Sequence, residues 1–150
     1  MNFILTLIFG VTFSFSQFNW QLDGIAIRQG VHIEWQRTAD LDDSDEFIFA
    51  WSDTRQGGRD VYIQKINESG EKLWGDNGLT VVEQIGRQED PILIADGQGG
   101  AYIVWVDYKD EPDDGDIYAQ HVSSNGQLSW SQEGIGLATQ AGNCLLYTSP

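Results

Sequence analysis

Ala50-Trp51-Ser52-Asp53-Thr54-Arg55, followed by Asp60-Val61-Tyr62-Ile63-Gln64, decides the reading of this chain, because both stretches come back. The first returns 54 positions later as Val104-Trp105-Val106-Asp107-Tyr108-Lys109, and the second 56 positions later as Asp116-Ile117-Tyr118-Ala119-Gln120. Gly70 and Trp74 return as Gly126 and Trp130 at the same shift of 56. Trp20, Trp74 and Trp130 are each followed four residues on by a glycine: Gly24, Gly78 and Gly134. Self-similarity at fixed spacing says that one supersecondary unit was copied and that the copies must stack to bury a core.

The change of shift locates a loop. Thr54 to Arg59 is a connection holding Gly57-Gly58, whereas Tyr108 to Gly115 is longer by two residues and ends Pro112-Asp113-Asp114-Gly115. Apolar runs that keep register around an insertion predict strands joined by a surface loop. Phe47 to Trp51 and Ala101 to Val106 are rich in aromatic and branched residues and suit strands buried on both faces. Val61 to Ile66 and Ile117 to Val122 mix such residues with Gln, Lys or His and read as strands nearer an edge. Ser69-Gly70, Asn125-Gly126 and Asn77-Gly78 supply turns, Leu79 to Glu83 is a further short strand, and Pro91 to Ala95 opens the next unit. No stretch has helical apolar spacing. The predicted class is all-β, a β-propeller-type repeat fragment of about two blades, because repeat units of about 40 to 50 residues with several short strands are the signature of blades. A two-sheet β-sandwich competes, but it does not account for the repeated register.

The ends frame the repeats. Met1 to Ser16 is apolar from Phe3 to Phe13, carries no Lys or Arg and ends in small residues, which reads as a secretory signal peptide cleaved near Ser16. Its apolar run is short of the roughly 20 residues a membrane-spanning helix needs, so no transmembrane helix is expected in the mature chain. Residues 17–142 are expected to be a partial β-propeller-like domain with units of about 20–74 and 75–130 and the start of a third. Residues 143–150, Asn143 to Pro150, lose the repeat and resemble translated adapter read-through. They hold Cys144, the sole cysteine, so no disulfide forms within the chain.

Charge narrows the partners. Only 8 Lys and Arg stand against 23 Asp and Glu, a net charge of −15. Nucleic acid and anionic membrane surfaces demand clustered cations, so both are excluded as expected partners. An acidic exported protein stays soluble and can recruit divalent cations.

Acidic clusters at Asp40 to Glu46 and Asp110 to Asp116 are the candidates for such a cation. Calcium takes six to eight oxygen ligands, and Asp110, Asp113, Asp114 and Asp116 are the better set for it. The alternative is a solvated hairpin tip whose Asp side chains bond nearby backbone amides. Asp53, Asp60, Asp107 and Asp116 recur at matched strand ends, and recurrence favours a structural job, with Arg55 or Lys109 as charge partner. Tyr62 and Tyr118 read as packing residues with surface hydroxyls. Gln64, Gln120 and the tryptophans Trp51, Trp74, Trp105 and Trp130 complete the structural repeat. His121 aligns with Lys65, and His32 has no second His or Cys at ligand spacing, so neither predicts a transition-metal site. Nucleophile elbows, phosphate loops and dinucleotide fingerprints are missing, and no catalytic residue is assigned.

The combined pattern of Trp-Ser-Asp-Thr-Arg (51 to 55), Asp-Val-Tyr-Ile-Gln-Lys-Ile (60 to 66), Gly70, Leu73-Trp74, Asp96-Gly97-Gln98-Gly99-Gly100 and Asp116-Ile117-Tyr118-Ala119-Gln120 resembles a repeat family of exported bacterial proteins. The resemblance covers about Asn19 to Gln140. It implies a β-propeller-like fold, often followed by a sorting domain for type IX secretion, and a place at the cell surface or outside the cell. It implies no particular activity. The first unit departs from the second, because Arg37 to Glu46 lacks the Asp-Gly-x-Gly-Gly turn. Two functions are compatible with these features: a binding or structural module with an extracellular glycan or protein partner, or the N-terminal part of a secreted polysaccharide-acting hydrolase or lyase.

Overall fold

The computed structural model describes residues 24–28, 34–111 and 114–139. The expected leader, Trp20, His32 and the segment 143–150 lie outside them. Strands β1 (Glu34–Leu41), β2 (Phe47–Asp53), β3 (Asp60–Ile66) and β4 (Leu79–Val82) form one four-stranded antiparallel sheet in chain order. Strands β5 (Gln88–Ala95), β6 (Ala101–Glu111), β7 (Asp114–Val122) and β8 (Ile135–Ala138) form a second with the same order. No helix occurs among the described residues. The protein is all-β, and neither sheet closes on itself.

The registers of the two sheets correspond. Trp51 stands opposite Tyr62 and Asp53 opposite Asp60 in the first sheet, as Trp105 stands opposite Tyr118 and Asp107 opposite Asp116 in the second. Irregularities also fall at matching places, at Trp35/Arg37 and Glu89/Ile92 on the first strands and at Val61/Tyr62 and Ile117/Tyr118 on the third. The longer connection is absorbed as an outward extension of the β6–β7 hairpin, where Glu111 pairs with Asp114. The short strands that follow Trp74 and Trp130 belong to the preceding sheets, so the sheets divide between Val82 and Gln88 rather than directly after Trp74.

Two sequence expectations about burial are corrected. β3 is buried along its whole length, and β3 and β7 are internal strands; β1, β4, β5 and β8 are the edges. Polar residues on β3 misled because Gln64 and Lys65 are buried with partners rather than solvated. β6 is buried on one face only, since Ala101, Ile103 and Trp105 are covered while Tyr102 is 44% exposed.

The core lies between the sheets. Ile48, Ala50, Val61 and Ile63 of the first sheet meet Leu93, Ala101, Ile103, Trp105 and Val122 of the second, with Trp74, Val81 and Val82 closing the cluster. Burying a large aliphatic side chain contributes about 1.5–3 kcal/mol. Trp74 also locks the sheets together: its indole N–H donates to the Ser124 carbonyl at 3.2 Å.

The turn missing from the first unit's sequence is present in its structure. Asp42 Oδ1 accepts the amides of Ser44 (2.8 Å) and Glu46 (3.0 Å), as Asp96 Oδ1 accepts those of Gln98 (2.7 Å) and Gly100 (2.9 Å). Asp45 has φ 59°, in the place where Gly99 has φ 84°. Asp can enter the left-handed region at modest cost, so it replaces the glycine there.

Candidate binding face

Alternation along β2 and β3 puts Ile48, Ala50, Ser52, Val61, Ile63 and Lys65 on one face of the first sheet, all of them buried under the second sheet. The same positions of the second sheet hold Tyr102, Val104, Val106, Ile117, Ala119 and His121, by register and by sequence. That face is uncovered among the described residues. Ile92 is 68% exposed, Ile94 62%, Leu137 57% and Ile135 41%. By register Ile92, Ile94 and Ile135 adjoin Val104, Tyr102 and Ala119, so this exposed apolar surface is contiguous rather than scattered.

Its polar end is organised around His121. The imidazole stacks on Tyr102 with 4.5 Å between ring centroids, and Trp130 lies tilted 6.4 Å away. His121 Nε2 is 2.7 Å from Asp96 Oδ2, and Nδ1 is 2.7 Å from Ser129 Oγ. Burial opposes ionisation of Asp96, but the His121 hydrogen bond and the Gln98 and Gly100 amides outweigh it and hold the carboxyl below the usual range. A serine, a histidine and an aspartate in a hydrogen-bonded row invite comparison with a nucleophilic triad. The amides of Ser129 and Trp130 are already committed: Ser129 N–H donates to the His121 carbonyl at 2.8 Å, and Trp130 N–H to Gln120 Oε1 at 3.0 Å. Neither is free to stabilise an oxyanion beside Ser129, and the row fixes the orientation of His121 between Asp96 and Ser129. Sequence reasoning passed over His121 because its counterpart is a lysine. The available signal was the aromatic company of Tyr102 and Trp130.

The recurring residues form two brackets at the strand ends. Asp53 Oδ2 accepts the Trp51 indole N–H at 2.9 Å, and its Oδ1 accepts the Arg55 amide at 2.9 Å. The Arg55 guanidinium grips both carboxylate oxygens, donates to the Asn77 carbonyl at 2.8 Å and lies 3.6 Å over the Tyr62 ring. Burial opposes ionisation of Asp53, but Arg55 and Trp51 together hold its carboxyl low. Asp107 repeats the indole and amide contacts with Trp105 (3.4 Å) and Lys109 (3.0 Å), and adds Gln88 at 3.1 Å. The Lys109 ammonium points elsewhere, over Tyr118 at 4.2 Å and toward Glu133 at 3.6 Å. Gln64 and Gln120 each accept the following amide and the amide of Trp74 or Trp130, fixing where those tryptophans enter. The Tyr62 hydroxyl is buried, not at the surface, and burial raises its pKa.

Of the calcium candidates, Asp110 is exposed, Asp114 and Asp116 are half-buried, and Asp113 lies outside the described residues. Asp116 pairs across the hairpin with Asp107, while Asp114 pairs with Glu111. Among the described residues no three His, Cys, Asp or Glu side chains come together as a metal site. Nor is any helix of those residues long and apolar enough to cross a membrane. No family model matches the chain, and neither a curated protein nor a solved structure matches it.

Proposed function

We propose that this chain is an exported β-propeller-like repeat protein, secreted or displayed at the cell surface, that acts as a binding or structural module. In this reading its two sheets are successive blades, and the outer face of the second receives a further protein layer. One observation carries it: the face that the first sheet buries under the second is repeated, position by position, on the uncovered face of the second sheet. A protein layer fits this face better than a glycan does. Ile92, Ile94, Ile135 and Leu137 dominate it and offer sugar hydroxyls no hydrogen bonds. The export half of the reading rests on Met1 to Ser16 and on the family resemblance.

Hydroxyl-radical footprinting tests the module. In the protein purified from its native source, Tyr102 and Trp130 should be modified as little as Trp74 and Trp105, whereas in the recombinant chain alone they should react strongly. Strong reaction in both preparations would sink the reading of a covered face. Mass spectrometry of the secreted protein tests export, with a mature N-terminus near Gln17 expected and an intact Met1 counting against it.

A further inference from the structure

Strand pairing sets two buried aspartates opposite each other at the base of the β2–β3 turn. Asp53 has every counter-charge it needs, whereas its neighbour Asp60 does not. Asp60 is 1% exposed, its Oδ1 accepts one long hydrogen bond from the Gln84 amide at 3.3 Å, and its Oδ2 is buried with no partner. Unpaired buried carboxylates are costly, and here the cost falls on a residue facing a cleft of about 370 Å³ between the β2–β3 turn and the link joining the sheets.

The cleft is lined by oxygen donors. Glu83 stands on its wall, and its charge adds to the burial that pushes Asp60 up to about 6. Gly58 forms part of the floor and brings no side chain. A Cβ built there would meet the Gly86 carbonyl at 3.4 Å, the Gln84 carbonyl at 3.6 Å and Asp60 Oδ1 at 3.7 Å, so oxygens from two segments converge on one spot. No nitrogen or sulfur ligand lines the cleft apart from side-chain amides.

We propose that Asp60 and Glu83, with the carbonyl oxygens of Gln84 and Gly86, bind calcium at the junction between the two sheets. Carboxylate and carbonyl oxygens in irregular loop geometry suit calcium, which accepts six to eight oxygens at variable angles, with water filling the rest. Magnesium demands a near-ideal octahedron and gives up its water reluctantly, so it fits the same donors poorly. Bound calcium supplies the charge that Asp60 lacks and pins the Glu83–Gly86 link to the first sheet. The position is particular to this junction, because the second sheet has Thr139 where the first has Glu83.

Thermal melting of the full chain in calcium chloride and in EGTA tests the site. Calcium should raise the melting temperature of the wild type by roughly 5 °C at saturation. Asp60→Asn keeps an acceptor for the Gln84 amide, so it should fold, melt in EGTA at or above the wild type, and show no shift with calcium. Glu83→Gln alters an exposed side chain and should weaken the calcium dependence about tenfold without unfolding the chain. Asp110→Asn should leave the shift intact. A wild type that melts identically in both solutions, an Asp60→Asn protein that keeps the shift, or loss of the shift in Asp110→Asn would each overturn the proposal.

Discussion

The Lys65 ammonium lies 2.8 Å from Asp42 Oδ2, and its Nζ also donates to the Gly99 carbonyl at 2.8 Å, so one side chain ties the β1–β2 turn to the β5–β6 turn of the other sheet. Glu46 completes the ion pair. Burial disfavours the lysine's charge, but the two carboxylates outweigh it and raise its pKa; burial likewise opposes ionisation of Asp42, but Lys65 and the Glu46 and Ser44 amides outweigh it and hold that carboxyl low.

Lys65→Met is therefore expected to cost about 3–5 kcal/mol, because it strands a buried carboxylate. Adding Asp42→Asn should recover a large part of that loss. Urea denaturation of the single and double variants measures both, and additive losses would show that the two groups do not act as a pair.

Gly78 and Gly134 should be equally intolerant of a side chain. Both have φ near 76°, and a Cβ would stand 2.6 Å from the Ile63 carbonyl oxygen in one case and 2.5 Å from that of Ala119 in the other. Each alanine variant should lose more than about 1 kcal/mol, since left-handed strain and backbone overlap add. Thermal melts of Gly78→Ala, Gly134→Ala and the freely placed Gly75→Ala would separate overlap from strain alone, because a Cβ at Gly75 meets nothing within 4 Å.

Stability in EGTA should pass through a maximum in mild acid. Asp60, raised to about 6 in the folded chain, destabilises it when ionised, so stability rises as pH falls from above 6 toward the ordinary aspartate value of 3.8. At neutral pH its ionisation costs about 3 kcal/mol, at 1.36 kcal/mol per pKa unit. Asp42, Asp53 and Asp96 have folded pKa values below 3.8, so their contribution is present above that value and lost as pH falls further. Denaturation midpoints from pH 3 to pH 8 test the profile, and the rise between 6 and 4 should vanish in Asp60→Asn.

Substitution on the uncovered face should divide sharply from substitution in the core. Ile94→Lys, at a side chain 62% exposed, should shift the isolated chain's stability by no more than about 0.5 kcal/mol and reduce binding of an apolar dye. Ile103→Ala, at a wholly buried position, should cost about 2–5 kcal/mol. Equal costs at both sites would mean that the face is packed in solution.

Class and strand positions were legible because repetition of Trp51, Asp53, Tyr62 and Gln64 marks register directly, and side-chain period in a strand is fixed at two. Burial was harder to read. Gln64 and Lys65 look like solvent-facing residues until their long-range partners Gly75, Asp42 and Gly99 are known. The hairpin-tip alternative for Asp40 to Glu46 matches the Asp42 bonds to backbone amides, but its likeness to the Asp96–Gly100 turn was hidden because a turn is defined by backbone angles, and Asp45 reaches the angle that Gly99 reaches more cheaply. The His121 row and the Asp60 cleft join residues from separate hairpins or from the link between sheets, and spacing along the chain carries no trace of them.

The outward growth of the β6–β7 hairpin leaves Trp105 opposite Tyr118, just as the shorter hairpin leaves Trp51 opposite Tyr62. The added residues are thus taken up without shifting the strand register beneath them. This connection is therefore a natural graft position, where a foreign peptide could be carried while the pairing beneath keeps its own register.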